Sequence, residues 1–235
     1  AGESACRRLY NLLDYIRREI EFQKDMAGLK VLVTAGPTVE KIDPVRYITN
    51  HSSGKMGYAM AEIASKRGAD VTLISGPVHI ESPAFVKIVN IQSADDMYNA
   101  VMDNLADCDI LVKAAAVADY TVPNASDEKI KKKDDDLSLA LSRTKDILKA
   151  VGERKTDRQI VCGFSMETSN LIENSKKKLV SKNCDMIVAN NLKDDGAGFG
   201  VDTNKVTIIT ENKADSLDVM IKKETAEKIL DCLLY

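Results

Sequence analysis

The sequence predicts an α/β fold: a three-layer α/β/α, Rossmann-like, doubly wound sheet of mostly parallel strands. Two observations carry this expectation. Short apolar, β-branched runs alternate with helical stretches of about 12 residues, the rhythm of parallel β-α-β units. The runs are apolar nearly throughout, as strands covered on both faces must be.

The elements follow in order. Residues 1–27 read as an N-terminal connector helix, with Leu9, Leu12, Leu13, Ile16 and Ile20 at helical spacing and Gly28 as punctuation. Residues 28–235 form the main domain. Its first strand is Lys30–Ala35, ended by Gly36-Pro37. A helix spans Met56–Arg67 and closes on Gly68. Strands follow at Val71–Ser75 and Val86–Gln92. Ser93 with Asp96 three residues on marks a helix start, and that helix runs to Ala106. A fourth strand covers Asp109–Ala115, followed by a helix at Asp146–Glu153 and a fifth strand at Gln159–Phe164. Helix Leu171–Lys182, strand Met186–Ala189, strand Val206–Ile209 and helix Lys223–Leu234 complete the chain.

Composition narrows the function. The 235 residues are 44% hydrophobic and 29% charged, with 33 basic against 36 acidic side chains and a net charge of −3. That argues against a disordered chain and against a general nucleic-acid binder, which is usually strongly basic. No apolar run is long enough for a membrane helix, and AGESACRRLY has no signal-peptide core, so a cytoplasmic protein without membrane partners is expected. The 5 cysteines form no CxxC pair and read as reduced structural thiols. With 2 histidines, a zinc site is not expected.

In doubly wound sheets, ligands sit beyond the carboxyl ends of the strands, where the strand order reverses. After the first strand comes a long connection, Asp43-Pro-Val-Arg-Tyr-Ile-Thr-Asn-His-Ser-Ser-Gly-Lys-Met-Gly57, that runs straight into a helix. Unpaired N–H groups at a helix start attract phosphate; Gly54 and Gly57 would permit close approach, and Ser52, Ser53 and Lys55 add donors. The plainer alternative is a capped helix with a surface lysine. The segment fits neither the Walker pattern nor GxGxxG. After the fourth strand, Lys113-Ala114-Ala115-Ala116 leaves room for a flat group or another backbone, and Asp119 could bind a metal or a sugar hydroxyl, or cap a turn. Lys129, Lys131, Lys132 and Lys133 precede three aspartates; such a run is either a solvated loop or a closure over polyphosphate. Lys178 and Lys182 share a helix face, where they repel each other unless an anion lies between them. The glycine-rich stretch 195–200, with Phe199, reads as a turn.

The segments GPTVEKIDPVRYITNHSSGKMG (36–57), AAVADY (115–120), EKIKK (128–132), GFSMET (163–168) and VANNL (188–192) occur in the order seen in bacterial phosphopantothenate–cysteine ligase, the ligase half of the bifunctional coenzyme A biosynthesis protein. The chain resembles that family over residues 28–235, and residues 1–27 resemble the connector to a flavin-dependent decarboxylase half. The resemblance implies an enzyme that joins 4′-phosphopantothenate to L-cysteine, with CTP and Mg²⁺, through an acyl-cytidylate, and that acts as a homodimer. It implies that Asn50 holds the activated acyl group and that Lys129 contacts the CTP phosphates, within a lid from 129 to 136. It implies that Ser53, Gly54, Lys55 and Gly57 form the phosphate-side helix start. Lys113, Ala114, Ala115, Asp119, Phe164, Lys178 and Lys182 would contact nucleotide. Ser142, Arg143, Thr144 and Lys145 match a further nucleotide stretch, although their sequence departs from the family pattern. Magnesium ligands are not identified. An NAD(P)-dependent Rossmann oxidoreductase would instead need a glycine fingerprint after the first strand. A flavodoxin-like binding module would not need these lysines to converge.

Overall fold

The computed structural model describes residues 2–132, 137–167, 169–191, 198 and 200–235, with side chains described from residue 12 onward except that of Asn191. Helix α1 (Gly2–Glu21) precedes the sheet, and strand β1 (Lys30–Ala35) begins it. A small hairpin, β2 (Val39–Lys41) and β3 (Tyr47–Thr49), leads to α2 (Lys55–Lys66). Then come β4 (Asp70–Ser75), β5 (Val86–Asn90), α3 (Ala94–Leu105) and β6 (Ile110–Lys113). Short strands β7 (Tyr120–Thr121) and β8 (Ser142–Arg143) pair with each other before α4 (Ile147–Gly152). The chain continues through β9 (Ile160–Glu167), α5 (Leu171–Ser181), β10 (Met186–Asn191), β11 (Thr203–Asn204), β12 (Val206–Ile209), β13 (Ala214–Ser216), β14 (Met220–Ile221) and α6 (Lys222–Leu234).

The 8-stranded sheet has the order β13-β12-β10-β9-β6-β1-β4-β5. Strands β5, β4, β1, β6, β9 and β10 are parallel, and β12 and β13 extend one edge antiparallel. The chain winds outward from β1 through β4 to β5, then returns to β6 on the other side. The switch point therefore falls between the carboxyl ends of β1 and β6. Side chains alternate across the pleat into two cores. Val31, Val33, Ile110 and Val112 pack with Met60, Ile63, Ile229 and Leu230 of α2 and α6. Leu32, Leu111 and Ile187 pack with Met97, Val101, Leu148 and Leu179 of α3, α4 and α5. The doubly wound three-layer expectation holds.

Several expected boundaries shift for local reasons. The connector helix ends at Glu21 rather than at residue 27; Met26 is fully buried in the α2–α6 core, and its N–H donates to the Arg67 carbonyl. The strand expected to reach Ala115 stops at Lys113, because the Ala116 N–H turns to the Gly36 carbonyl beside a Pro37–Ala116 bridge. The strands expected to end at Phe164 and Ala189 run on to Glu167 and Asn191. The capping box at Ser93 is present in both directions: Ser93 Oγ accepts from the Asp96 N–H at 3.1 Å, and Asp96 Oδ2 accepts from the Ser93 N–H at 2.9 Å. Cys108, Cys162 and Cys184 are buried free thiols, and burial pushes the Cys108 thiol up to about 11, which keeps it protonated and unreactive. Among the described residues, no helix is long and apolar enough to cross a membrane.

Candidate functional site

The switch point opens into two adjoining cavities. The first, of 310 Å³, lies against the start of α2. Ser53, Gly54, Lys55 and Gly57 form one side, Lys113 through Val117 another, and Phe164, Lys178, Asn190, Asn204 and Lys222 the rest. The second, of 420 Å³, is lined by Arg143, Thr144, Lys145, Asp146, Lys182 and Tyr120, among others. Lys113, Val117, Asp119 and Lys178 belong to both walls. A third hollow, of 920 Å³, sits beyond β4 and β5; its walls carry Asp96 and Asp103 and no lysine or arginine, so nothing there grips an anion.

Gly54 caps α2 at φ 78°, a backbone conformation that only glycine adopts without strain. Gly57 is needed for a different reason than close approach to a ligand. A Cβ there would stand 2.6 Å from Ala35 Cβ and 2.9 Å from the Thr34 carbonyl, so glycine lets α2 pack on β1. The first turn of α2 is thereby drawn down to the strand end, with its N–H groups facing the cavity.

The lysines divide into two kinds. Lys182 donates to Asp146 Oδ2 at 2.5 Å, and Asp146, the N-cap of α4, is held below the usual carboxylate range by this partner despite its burial. The anion expected between Lys178 and Lys182 is thus supplied to Lys182 by the protein itself. Lys145 is bonded to Asp95 at 2.7 Å and lies 4.7 Å from the Tyr98 ring centre. Lys55 reaches Asp202 at 2.6 Å and the Gly200 carbonyl at 3.0 Å. Lys113 and Lys178, the two on the shared wall, are different. Lys113 donates only to the Ala115 carbonyl at 3.2 Å, and Lys178 only to the Phe164 carbonyl at 3.1 Å, among the described residues. Burial first, and then the charge of Lys178, push Lys113 down to about 8. Burial likewise lowers Lys178. Two ammonium groups held close without a carboxylate bonded to either make a seat for an anion.

Asn50 donates from Nδ2 to the Ala116 carbonyl, and its Oδ1 accepts from the Ser52 N–H at 3.2 Å. It therefore ties the two strand-end loops together one residue behind the cavity wall, without lining either cavity. Asp119 is exposed and does not cap a turn; its carboxylate makes no hydrogen bond among the described residues. Ser142 pairs with Thr121 rather than lining the cavity, whereas its neighbours Arg143, Thr144 and Lys145 do line it.

Lys129 is exposed and lines neither cavity. Its backbone is nevertheless fixed. Asp43, whose side chain is wholly buried, accepts from the N–H groups of Val45 and Arg46 at 2.8 Å each and from the Ile130 N–H at 3.1 Å. The Arg46 guanidinium binds Asp43 Oδ2 and also the Ile130 carbonyl at 2.9 Å. Arg46, together with these N–H groups, holds Asp43 well below the usual carboxylate range. Residues 133–136 of the expected lid, and residues 195–197 and Phe199 of the glycine-rich stretch, lie outside the described residues.

The profile of the family described as "DNA/pantothenate metabolism flavoprotein C-terminal domain" matches residues 26–235. The chain belongs to this family. Relatives in it include the coenzyme A biosynthesis bifunctional protein CoaBC of Bacillus subtilis, 48% identical over 212 residues, which cover 89% of this chain and 52% of the relative. The CoaBC of Haemophilus influenzae is 44% identical over 209 residues, 89% of this chain and 52% of the relative. The chain thus spans about half the length of these curated relatives. A crystal structure of the C-terminal domain of a CoaBC protein superposes with a TM-score of 0.77 at 42% identity, covering 90% of this chain and 97% of that one. Family membership fits the layout above: in their described residues GFSMET and VANNL form the carboxyl ends of β9 and β10, AAVADY follows β6, the 36–57 motif runs from the end of β1 through the hairpin to α2, and EKIKK is tied to that hairpin.

Asn190, Asn204, Lys222, Asp146 and Asp43 escape a reading of the sequence. Lys222 donates to the carbonyls of Gly198, Val201 and Thr203 from the first turn of α6. Only the fold shows that this turn abuts the cavity. A helix-start aspartate such as Asp146 reads as a cap and nothing more.

Proposed function

We propose that the chain catalyses formation of the amide bond between 4′-phosphopantothenate and L-cysteine, activating the carboxylate with CTP as an acyl-cytidylate and acting in coenzyme A biosynthesis. The observation that carries this reading is the Lys113–Lys178 pair on a wall common to two cavities. One cavity offers a helix start to an anionic substrate and the other a basic groove to a nucleotide, so two anions would meet at two ammonium groups. A carboxylate is a poor electrophile at neutral pH. Bringing its oxygen to the α-phosphate of CTP needs charge neutralised on both partners, which the lysine pair supplies. The carboxylate oxygen attacks phosphorus and pyrophosphate leaves. The cysteine nitrogen then attacks the acyl carbon and CMP leaves. Asn50, bracing the Ala116 loop, sets the wall on which the acyl group would rest.

Magnesium suits Asp119, an exposed carboxylate on both cavity walls, because this ion keeps waters and phosphate oxygens as most of its ligands. When bound, it would neutralise phosphate charge. The same reading carries a homodimer and, in a longer chain, an N-terminal flavin-dependent decarboxylase half.

Thermal shift separates this proposal from a dinucleotide-binding alternative. CTP with Mg²⁺ is expected to raise Tm by several degrees at about 100 times Kd, where linkage supplies about 2.7 kcal/mol. NADH and FMN are expected to leave Tm unchanged. A shift with NADH and none with CTP would reverse the assignment.

A further inference from the structure

One buried polar atom on a residue lining the 310 Å³ cavity has no partner among the described residues. Asn190, at the end of β10, is 8% exposed, and its Oδ1 makes no hydrogen bond among the described residues. Its orientation follows from its neighbour. The Lys205 N–H donates to Asn204 Oδ1 at 3.1 Å, which fixes the oxygen end of that carboxamide. Asn204, 2% exposed, can then receive only the amide end of Asn190, and Asn190 Nδ2 does donate to Asn204 Oδ1 at 2.9 Å. The remaining group of Asn190 is an acceptor, buried on a side chain that lines the cavity. A buried acceptor left without a donor is costly, and a bound N–H or O–H would remove that cost.

The rest of the lining says which donor suits it. Lys55, Lys113, Lys178 and Lys222 all face this cavity, and Asp119 is the sole carboxylate in its described lining. Burial lowers both Lys113 and Lys178, and repulsion from a neighbouring ammonium adds to it, that of Lys178 on Lys113 and that of Lys182 on Lys178. A substrate ammonium entering among these lysines meets the same repulsion and sheds a proton to solvent. A carboxylate partner would oppose that loss by stabilising the ammonium. A neutral carboxamide oxygen does not: it accepts one N–H of the uncharged amine and leaves the nitrogen lone pair available.

Building on the ligase reading above, we propose that Asn190 Oδ1 is the subsite for the amine of the amino-acid substrate, which it holds uncharged for attack, with Asn204 as the positioning residue that turns it. The amine nitrogen forms the C–N bond to the acyl carbon. The bond from that carbon to the phosphoryl oxygen breaks, CMP leaves with the electron pair, and one N–H proton passes to solvent.

Two variants test this. In Asn190→Ala, pyrophosphate release from CTP with phosphopantothenate and no cysteine is expected to stay within about twofold of the parent protein, while KM for cysteine rises tenfold or more. Asn204→Asp keeps an acceptor for both the Lys205 N–H and Asn190 Nδ2 but places a negative charge beside the amine. It is expected to move the rising limb of kcat/KM for cysteine to higher pH by about one unit, a change that loss of packing alone would not cause. An unchanged cysteine KM in Asn190→Ala overturns the inference. So does a defect confined to CTP or phosphopantothenate, which would assign the acceptor to a hydroxyl or amide of those substrates. So does an unmoved pH profile in Asn204→Asp. If the unsubstituted protein releases no pyrophosphate, the ligase reading fails first and takes this inference with it.

Discussion

Asp43→Ala is expected to destabilise the protein, because three backbone N–H groups lose their acceptor and the half-exposed Arg46 guanidinium loses its partner. The carboxylate is the knot that ties the β2–β3 hairpin to the stretch carrying Lys129. Asp43 accepts the Ile130 N–H, and Arg46, itself held by Asp43, donates to the Ile130 carbonyl. If Lys129 serves the activation step, cutting this knot slows phosphopantothenate-dependent pyrophosphate release by about 10²-fold, on the scale by which misplacing a group by an ångström reduces a rate. A double-mutant cycle separates this from general unfolding, provided all rates are taken well below each variant's Tm. Asp43→Ala added to Lys129→Ala should slow the reaction no further than Lys129→Ala alone. Fully additive effects would mean that Asp43 acts independently of Lys129.

Lys113→Met is expected to make the protein more stable and the enzyme inactive. The folded lysine has its pKa lowered from 10.5 to about 8, chiefly by burial. Below pH 8 the lysine is protonated both folded and unfolded, and the fold bears the full cost of the buried charge, about 3 kcal/mol. Between pH 8 and 10.5 the unfolded chain holds more protons than the folded one, so stability rises with pH and the cost fades. Methionine fills similar volume without the charge. Its stabilisation should therefore be seen by denaturant melts at pH 7 and vanish near pH 10.5. In the same variant, nucleotide affinity should fall by about 10²-fold, the worth of a charge-assisted contact in a desolvated site. A variant that is less stable at pH 7, or that binds CTP as tightly as the parent, would contradict the role given to the lysine pair.

These two residues also show what a sequence can and cannot disclose. Lys113 is legible because parallel strands announce themselves through short β-branched runs, and the switch-point rule then points to the residues just beyond their carboxyl ends. The same logic finds the Ala114–Ala116 stretch, the α2 start and Phe164, whereas Lys178 stands out by sharing a helix face with Lys182. Asp43 is not legible as a tether, since its partner Ile130 lies 87 residues away and joins it through a backbone N–H that any residue would offer. Strands of two or three residues, such as β2, β3, β7 and β8, carry too few side chains for a period to register. The Asn190–Asn204 pair is equally silent, since the two residues come from strands of different sheets and only the folded chain sets one against the other. Gly57 stands out in the sequence for a reason the structure replaces: the close approach there is between α2 and β1. Lys182 reads as half of an unbalanced pair because nothing in the sequence ties it to Asp146, 36 residues earlier.

The most direct test of the central claim is pyrophosphate release from CTP and Mg²⁺, measured with each substrate omitted in turn. If Lys113 and Lys178 seat two anions so that one can attack the other, release requires phosphopantothenate, proceeds without cysteine to about one equivalent per site, and disappears in Lys113→Met with Lys178→Met. Release that ignores phosphopantothenate, waits for cysteine, or survives the loss of both lysines would contradict the account.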